Sequence, residues 1–336
     1  MYDNQNYYGD NQHKPGKWKK GFLIFLIVLL CVIFLAAGCS KIVSSVMKKG
    51  DSNEHFIYTD DYIGVLEING VMGEEGDQSL YNQEWLLDRI EDMKNDSMNK
   101  GIMLSVNTPG GSVYAIDELY LKIREYKEST GRPVFTYMRD MAASGGYYIS
   151  TASDKIYANR NTWTGSIGVT VGTFVDVSEL LDKMGVKTVT ITAGKNKAMG
   201  SPVEPMTEEQ LGIFQGLVDE AYEQFTQIVA EGRNMDIKKV EKLADGRIYT
   251  AKQAEKNGLI DEISTLEGAL SDMKERYELE ECKTPVIKYE PEEGLISLLL
   301  GKFSGHKEAE TEADQIRELM EENNKFTISY LANIQR

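Results

Sequence analysis

The strongest constraint on this chain is an alternation of two hydrophobic patterns between Tyr58 and Leu279. Short β-rich runs alternate with longer runs whose apolar residues have helical spacing. The β-rich runs are YIGVLEI, GIMLSV, PVFTYM, KIYAN and VKTVTIT, and the helical runs are NQEWLLDRIEDMKN, IDELYLKIREYKES and TEEQLGIFQGLVDEAYEQFTQIVAEGRN. This alternation predicts one α/β domain with a mainly parallel sheet and covering helices. Thr207 is the expected N-cap of the long helix, with Glu209 or Gln210 behind it.

Composition excludes several classes of protein. Of the 336 residues 41% are hydrophobic, which is enough for a sizeable core, and the formal net charge is −16. Nucleic acid is a poor partner for so acidic a chain, because phosphate binding needs a basic face. The cysteines and histidines have neither zinc-site spacing nor the pattern of a disulfide framework. They are Cys31, Cys39, Cys282, His13, His55 and His306. We therefore expect no metal, no cofactor and no nucleic-acid partner.

An uncharged apolar run from Gly21 to Ser40 has about the length at which a helix spans a bilayer. Lysines before this run favour a cytoplasmic N-terminus, and lysines after it make the bias modest. They are Lys14, Lys17, Lys19 and Lys20 before the run, and Lys41, Lys48 and Lys49 after it. We expect a single-pass protein of the cell membrane with its bulk outside the cytoplasm. Two alternatives are a cleaved signal peptide and lipidation at Cys39, which ends a lipobox-like Ala37-Gly38-Cys39.

These patterns divide the chain into five parts. We expect a disordered cytoplasmic tail at 1–20, a transmembrane anchor at 21–40 and a polar linker at 41–57. The α/β domain follows at 58–282. Residues 283–336 form a partly ordered extension with a strand-like KFTISYLANI near its end, or else a mobile tail.

Ser144 lies between two alanines and two glycines in MAASGGYYIS, directly after an apolar run. Glycines at 145 and 146 allow a sharp turn into a helix, and the helix N-terminus stabilises negative charge. A serine at such a strand-to-helix turn is a candidate nucleophile. The alternative is a turn that merely packs small residues, and the G-x-S-x-G pattern is absent because Ala142 replaces its first glycine.

A serine nucleophile needs a proton acceptor, and the peripheral histidines make a Ser-His-Asp triad unfavourable. A lysine can act as the base when burial lowers the pKa of its amine. The segment ITAGKNKAMGSP contains Lys195 and Lys197, and no carboxylate occurs between Val189 and Pro202. The residues alone do not separate the two lysines.

An oxyanion also needs donors, and NTPGG, from Asn107 to Gly111, offers them between a strand and a helix. Pro109 restricts one backbone angle, and the two glycines allow backbone amides to face a ligand. The alternative is an ordinary strand-to-helix loop.

Five segments occur in order along the chain: NTPGGSVYA, MAASGGYYIS, TGSIGV, AGKNKAMGSP and DGRIYTAKQAEKNGLID. Together, from about Tyr62 to Lys274, they resemble the signal peptide peptidase A family. These are membrane-bound Ser/Lys peptidases related to the Clp proteolytic subunit and the crotonases. The short Gram-positive type, with an N-terminal anchor and one peptidase unit, is the most similar form. The resemblance implies a Clp protease/crotonase-like fold and makes 58–282 a Ser/Lys peptidase domain.

The resemblance also implies roles for single residues. Ser144 matches the nucleophile, and Lys197 matches the general base because it lies five residues before the proline of its motif. Gly111 and Gly145 match the oxyanion donors, and Ser166 matches a position that orients the lysine amine. Two small departures from the family pattern, Thr108 and Ala193 in place of serines, change none of these groups.

The function implied by the resemblance is acyl transfer. A membrane-anchored serine endopeptidase would degrade cleaved signal peptides and other apolar peptides in or at the membrane. The family commonly builds its site at a subunit boundary of a ring, so Ser144 and Lys197 would come from one chain or from neighbouring chains of a homo-oligomer. Two other classes are an acyl-CoA enzyme of the crotonase type and a non-enzymatic membrane scaffold.

Overall fold

The computed structural model describes residues 58–73, 80–291 and 329–331. The expected cytoplasmic tail, anchor and linker at 1–57 lie outside these residues, as does most of the extension after 291. Within the described ranges, no helix is both long enough and apolar enough to cross a membrane.

The domain is built from short strands and helices in alternation. The strands are β1 (Tyr62–Asn69), β2 (Asn99–Thr108), β3 (Gly110–Ser112), β4 (Val134–Ala143), β5 (Lys155–Ala158), β6 (Trp163–Gly165), β7 (Ile248–Thr250), β8 (Glu262–Ile263), β9 (Val286–Ile287) and β10 (Ser329–Leu331). The helices are α1 (Gln83–Asn95), α2 (Val113–Thr130), α3 (Gly145–Ser150), α4 (Ser178–Lys183), α5 (Glu208–Gly232), α6 (Ile237–Leu243), α7 (Ala251–Asn257) and α8 (Leu266–Tyr277).

The main sheet has the strand order β7-β6-β4-β2-β1-β9, and β5 joins β4 to β8. Its pairings are parallel except for β6 with β7. Strand β4 changes its neighbour along its length: residues 135–138 pair with β5, and residues 141–143 pair with β6. The mainly parallel α/β sheet is therefore confirmed, and the second half of β4 lies between β2 and β6.

Helices cover both faces of the sheet. On one face, Leu66 of β1 and Leu104 of β2 belong to a large core that includes residues of α1, α2 and α3. On the other face, Met103 and Phe135 belong to a smaller core completed by Met273 of α8. Successive strand residues thus point to opposite sides, as a strand buried on both faces requires.

Helix α5 begins with the predicted capping box. The Thr207 hydroxyl accepts the N–H of Gln210 at 3.3 Å, and the Gln210 side chain accepts the N–H of Thr207 at 3.1 Å. Gln210, rather than Glu209, is therefore the residue that completes the cap.

The strand predicted for VKTVTIT is wrong for this chain. Residues 186–192 form no strand, and Val189 and Ile191 are 84% and 92% exposed. A β-rich segment forms a strand only when another strand supplies hydrogen-bond partners, and none of the described residues pairs with it.

Candidate active site

Ser144 occupies the single position between β4 and α3. Its backbone has φ 54° and ψ −113°, and the residue is 1% exposed. A positive φ is unfavourable for a serine and persists only where the surroundings impose it. Here the Ser144 N–H donates to the Gly165 carbonyl at 2.7 Å, and the Ser144 carbonyl accepts the Tyr148 N–H at 2.9 Å. The chain therefore holds this serine in a strained turn from both sides.

The helix after Ser144 packs too closely for side chains at its first two positions. A Cβ on Gly145 would lie 2.1 Å from Ile116 Cδ1, and one on Gly146 would lie 2.8 Å from Thr108 Cγ2. The Gly145 Cβ position is also 3.1 Å from the Gly110 Cα. The two glycines thus let the start of α3 lie directly against the glycine strand β3.

Strand β3 is held by Met72 on one edge. Met72 N–H donates to the Gly110 carbonyl, and Ser112 N–H donates to the Met72 carbonyl, both at 2.8 Å. Gly110 has φ 103°, and a Cβ on Gly111 would lie 1.9 Å from the Met72 oxygen. Glycine is required at both positions by conformation and by space.

On its other edge, β3 pairs with an extended peptide supplied by β10. Tyr330 lies opposite Gly111 in an antiparallel register. Ser329, the first residue of β10, also exchanges two backbone hydrogen bonds with Thr170, at 2.9 and 3.1 Å. β10, a segment of the chain itself, therefore fills a groove beside Gly145 as an added strand between β3 and Thr170. This short strand falls within the predicted strand-like KFTISYLANI.

The Tyr330 side chain enters a fully buried aromatic cluster. Its hydroxyl donates to the Ala221 carbonyl at 2.9 Å, and its ring stacks on Tyr148 with 5.1 Å between centroids. The Tyr148 hydroxyl donates to Asp117 at 2.6 Å. Burial raises the pKa of Tyr148, and the Asp117 carboxylate raises it further, so the phenol stays protonated and keeps this hydrogen bond.

Ser166 lies one residue after the carbonyl that holds Ser144. Its own φ is 51°, and its N–H donates to the Arg247 carbonyl at 2.8 Å. Ser166 also lines a cavity of about 470 Å³ together with Tyr222 and Asp245. The structure thus brings four of the predicted site residues, Ser144, Gly145, Gly111 and Ser166, into one region.

Lys197 is placed differently. It lies in an exposed loop of successive turns, and its N–H donates to the Gly194 carbonyl at 3.2 Å. In the described part of the chain, no hydrogen bond or ion pair joins Lys197 to Ser144 or Ser166. Among the described residues of a single chain, the Lys197 side chain is therefore exposed and lacks the expected burial. Lys195, its competitor, is also exposed and forms an ion pair with Glu209.

Sequence reasoning missed three features of the site. Thr170 borders the groove beside Gly145, and Tyr148 forms the aromatic wall of that groove. Glu209 contacts the exposed loop that carries Lys195 and Lys197. Tyr148 had a detectable signal, because it lies one helical turn after Ser144. The contact of Thr170 with β10 had no such signal in the sequence.

Among the described residues, no group of three or more histidine, cysteine or carboxylate side chains has a geometry that could hold a metal ion.

Known proteins with similar sequences identify the family of this chain. The model of Peptidase family S49 matches residues 126–280. A protein of Enterococcus faecium provisionally named signal peptide peptidase SppA is 38% identical over 257 residues, which cover 75% of this chain and 72% of the relative. A provisionally named protease of Methanocaldococcus jannaschii is 31% identical over 289 residues, covering 83% and 90% of the two chains.

A third relative carries a more specific name. Serine protease SPPA, chloroplastic, of Arabidopsis thaliana is 32% identical over 213 residues, which cover 63% of this chain and 31% of the longer plant protein. These matches to peptidases favour a peptidase over the two alternative classes, an acyl-CoA enzyme of the crotonase type and a non-enzymatic scaffold. The chain therefore belongs to peptidase family S49, the signal peptide peptidase A family, and is a serine peptidase.

Proposed function

We propose that this chain is a membrane-anchored endopeptidase with a Ser/Lys dyad, in which Ser144 is the nucleophile and Lys197 the general base. The observation that carries the proposal is the strained, buried Ser144 at the start of α3, next to a glycine strand that pairs with an extended peptide. Strain of this kind is concentrated at functional sites. The helix N-terminus beside it favours the negative charge that forms during acyl transfer.

The chemistry proceeds in two steps. The neutral Lys197 amine takes the Ser144 proton as the hydroxyl oxygen attacks a peptide carbonyl, and the amides of Gly111 and Gly145 donate to the oxyanion. Protonated Lys197 then gives its proton to the leaving amine as the C–N bond breaks. The neutral amine next takes a proton from water as the water oxygen attacks the acyl carbon. The ester C–O bond then breaks, and the protonated amine returns a proton to the Ser144 oxygen, which restores the free enzyme. Ser166 would orient the amine between these steps.

Cleaved signal peptides are the proposed substrates. β10 fills the groove beside Gly145 in this structure, and a substrate would pair with β3 in the same way after β10 leaves the groove. Backbone pairing is indifferent to most side chains, and the wall of the groove at Tyr148 is aromatic. The apolar run at 21–40 would anchor the enzyme at the membrane where such remnants lie. The peptidase domain would then face the outside of the cell, and the N-terminal tail the cytoplasm.

The active unit is proposed to be a ring-shaped homo-oligomer. Large apolar side chains are exposed along the segment that leads to Lys197, namely Val175, Leu180, Met184, Val186, Val189 and Ile191. Exposed apolar patches and unpaired β-rich segments favour burial against another chain. Since no described contact joins Lys197 to Ser144 within the chain, a neighbouring copy would supply the lysine.

The test uses the full-length protein in detergent with a quenched-fluorescent apolar peptide. The wild type should cleave the peptide, and Ser144→Ala should abolish cleavage while the thermal unfolding temperature stays nearly unchanged. Full turnover by Ser144→Ala would refute the assignment of the nucleophile.

A further inference from the structure

Glu209 contacts the two consecutive residues that precede Lys197. One carboxylate oxygen forms an ion pair with the Lys195 amine, and the other accepts the Asn196 side-chain amide at 3.1 Å. A single carboxylate therefore holds both positions immediately before the proposed base.

The two ends of the loop that carries Lys197 are supported differently. At the downstream end, the Pro202 carbonyl accepts the Val177 N–H at 2.8 Å. Gly200 there packs so closely on Phe174 that a Cβ would lie 2.9 Å from its ring. At the upstream end, residues 186–192 are exposed and form no strand. In the described part of the chain, Glu209 is the side chain that fixes this upstream end.

Helix α5 makes Glu209 a rigid attachment point. Glu209 is the second residue of a 25-residue helix whose first turn is closed by a capping box. The hydrogen bond from Lys195, followed by that from Asn196, lowers the pKa of Glu209. A lowered carboxyl pKa means that Glu209 stays ionised through the ordinary titration range of a carboxyl and becomes protonated only in more acidic solution, where both contacts weaken. Glu209 thus stays ionised at neutral and alkaline pH.

We propose that Glu209 is a positioning residue for the general base: by holding Lys195 and Asn196 on helix α5, it fixes the direction in which Lys197 leaves the loop. This inference rests on the proposed role of Lys197 and holds whether that lysine serves its own chain or a neighbour. An exposed ion pair of this kind adds little to folding stability. Its effect is therefore expected in turnover, which depends steeply on the placement of the base.

The experiment compares variants of the full-length enzyme by kcat, KM, unfolding temperature and oligomer mass. Glu209→Ala should lower kcat between about 10-fold and 100-fold, the range expected for a displacement near 1 Å. The KM, the unfolding temperature and the oligomer mass should stay close to wild type. Glu208→Ala is the matched control: it removes the neighbouring exposed glutamate, which has no side-chain partner among the described residues, and should leave kcat unchanged.

A double-mutant cycle tests whether Glu209 acts through its two contacts. In a chain that already carries Lys195→Ala and Asn196→Ala, the further change Glu209→Ala should cause no additional loss of kcat. Lys195→Ala alone removes one contact and leaves the one to Asn196, so its loss should be smaller than that of Glu209→Ala.

Three outcomes would overturn the inference. The first is a wild-type kcat in Glu209→Ala. The second is that adding Glu209→Ala to the Lys195→Ala and Asn196→Ala variant lowers kcat as much as it does in the wild type, and the third is a smaller oligomer in Glu209→Ala. The last would assign Glu209 to assembly instead. Lys197→Ala, measured alongside, separates this inference from the proposed dyad. If Lys197→Ala is inactive and Glu209→Ala is fully active, only the positioning role fails. If Lys197→Ala retains wild-type turnover, the dyad itself fails.

Discussion

The backbone N–H of Ser144 donates to the carbonyl of Gly165 at 2.7 Å, which ties the end of β4 to the end of β6. The next residue, Ser166, is in turn held by the Arg247 carbonyl. The candidate nucleophile therefore takes its conformation from a neighbouring strand and from the turn before β7, as well as from its own flanking glycines.

Lys197→Arg should be as inactive as Lys197→Ala. A guanidinium stays protonated at every pH used for assay, so it cannot accept the serine proton although its size and charge resemble those of lysine. The measurement is peptide cleavage across the neutral to alkaline range. Lys195→Ala should keep much of the activity. Wild-type turnover by Lys197→Arg, or an inactive Lys195→Ala, would show that the base is misassigned.

Mixing two inactive variants should restore activity if the dyad spans two chains. Ser144→Ala chains keep Lys197, and Lys197→Ala chains keep Ser144, so a mixed assembly contains some complete sites. The two proteins are dissociated together, reassembled and assayed beside each variant treated alone. A mixture as inactive as its components would place both residues of the dyad within one chain.

Gly145→Ala should destabilise the domain by about 1–3 kcal/mol, the usual cost of overpacking. The added methyl would meet Ile116 Cδ1 at 2.1 Å and Cγ1 at 2.8 Å. Gly212→Ala is the matched control, because Gly212 also lies in a helix but no atom of the described residues comes within 4 Å of the added Cβ. It should stabilise by about 0.5–1 kcal/mol. Chemical denaturation measures both, and equal effects of the two changes would contradict the close packing of α3.

Tyr330→Phe should lower the free energy of unfolding by about 0.5–1.5 kcal/mol, because it removes a buried hydrogen bond to the Ala221 carbonyl. Tyr114→Phe is the control, since its hydroxyl bonds Glu118 on the exposed surface of α2 and should contribute little. Thermal unfolding of both variants decides the matter. A neutral Tyr330→Phe would mean that β10 does not occupy the groove in solution.

The orientation of the membrane anchor can be tested on intact cells or protoplasts. The lysines before Gly21 favour a cytoplasmic N-terminus, so protease added outside should digest the chain after Ser40. Epitopes placed at the two ends report which part is lost. Degradation confined to the first twenty residues would reverse the proposed orientation.

Local pattern predicted much of this fold. The apolar runs of β1, β2 and β4 and the amphipathic α5 were predictable, because each satisfies its periodicity from its own residues. Ser144 was identifiable from the small residues around it, since a strand-to-helix turn this tight needs glycines at specific positions. Features that depend on distant partners were harder to predict.

The failures share a physical cause. Residues 186–192 have strand propensity but no strand partner among the described residues. Propensity alone therefore predicted a strand that does not form. The pairing of Tyr330 with Gly111 joins segments that are remote in sequence, and no local pattern encodes it. From the sequence, Glu209 is equally suited to complete the cap of α5 and to pair with Lys195. Only the three-dimensional position of the loop shows that it contacts Lys195.

The division of β4 between two neighbours makes chain length critical at one connection. Because β5 and β6 both pair with β4, the intervening residues 159–162 must cover a fixed distance along β4. The Asn159 N–H and the Thr162 hydroxyl hold this connection in place, since both donate to the Met138 carbonyl at 3.0 Å. A one-residue insertion there would shift β6 and carry the Gly165 carbonyl away from Ser144. The exposed left-handed turn at Gly131, where an added Cβ meets no atom of the described structure within 4 Å, is a far safer place for an epitope tag or a fused domain.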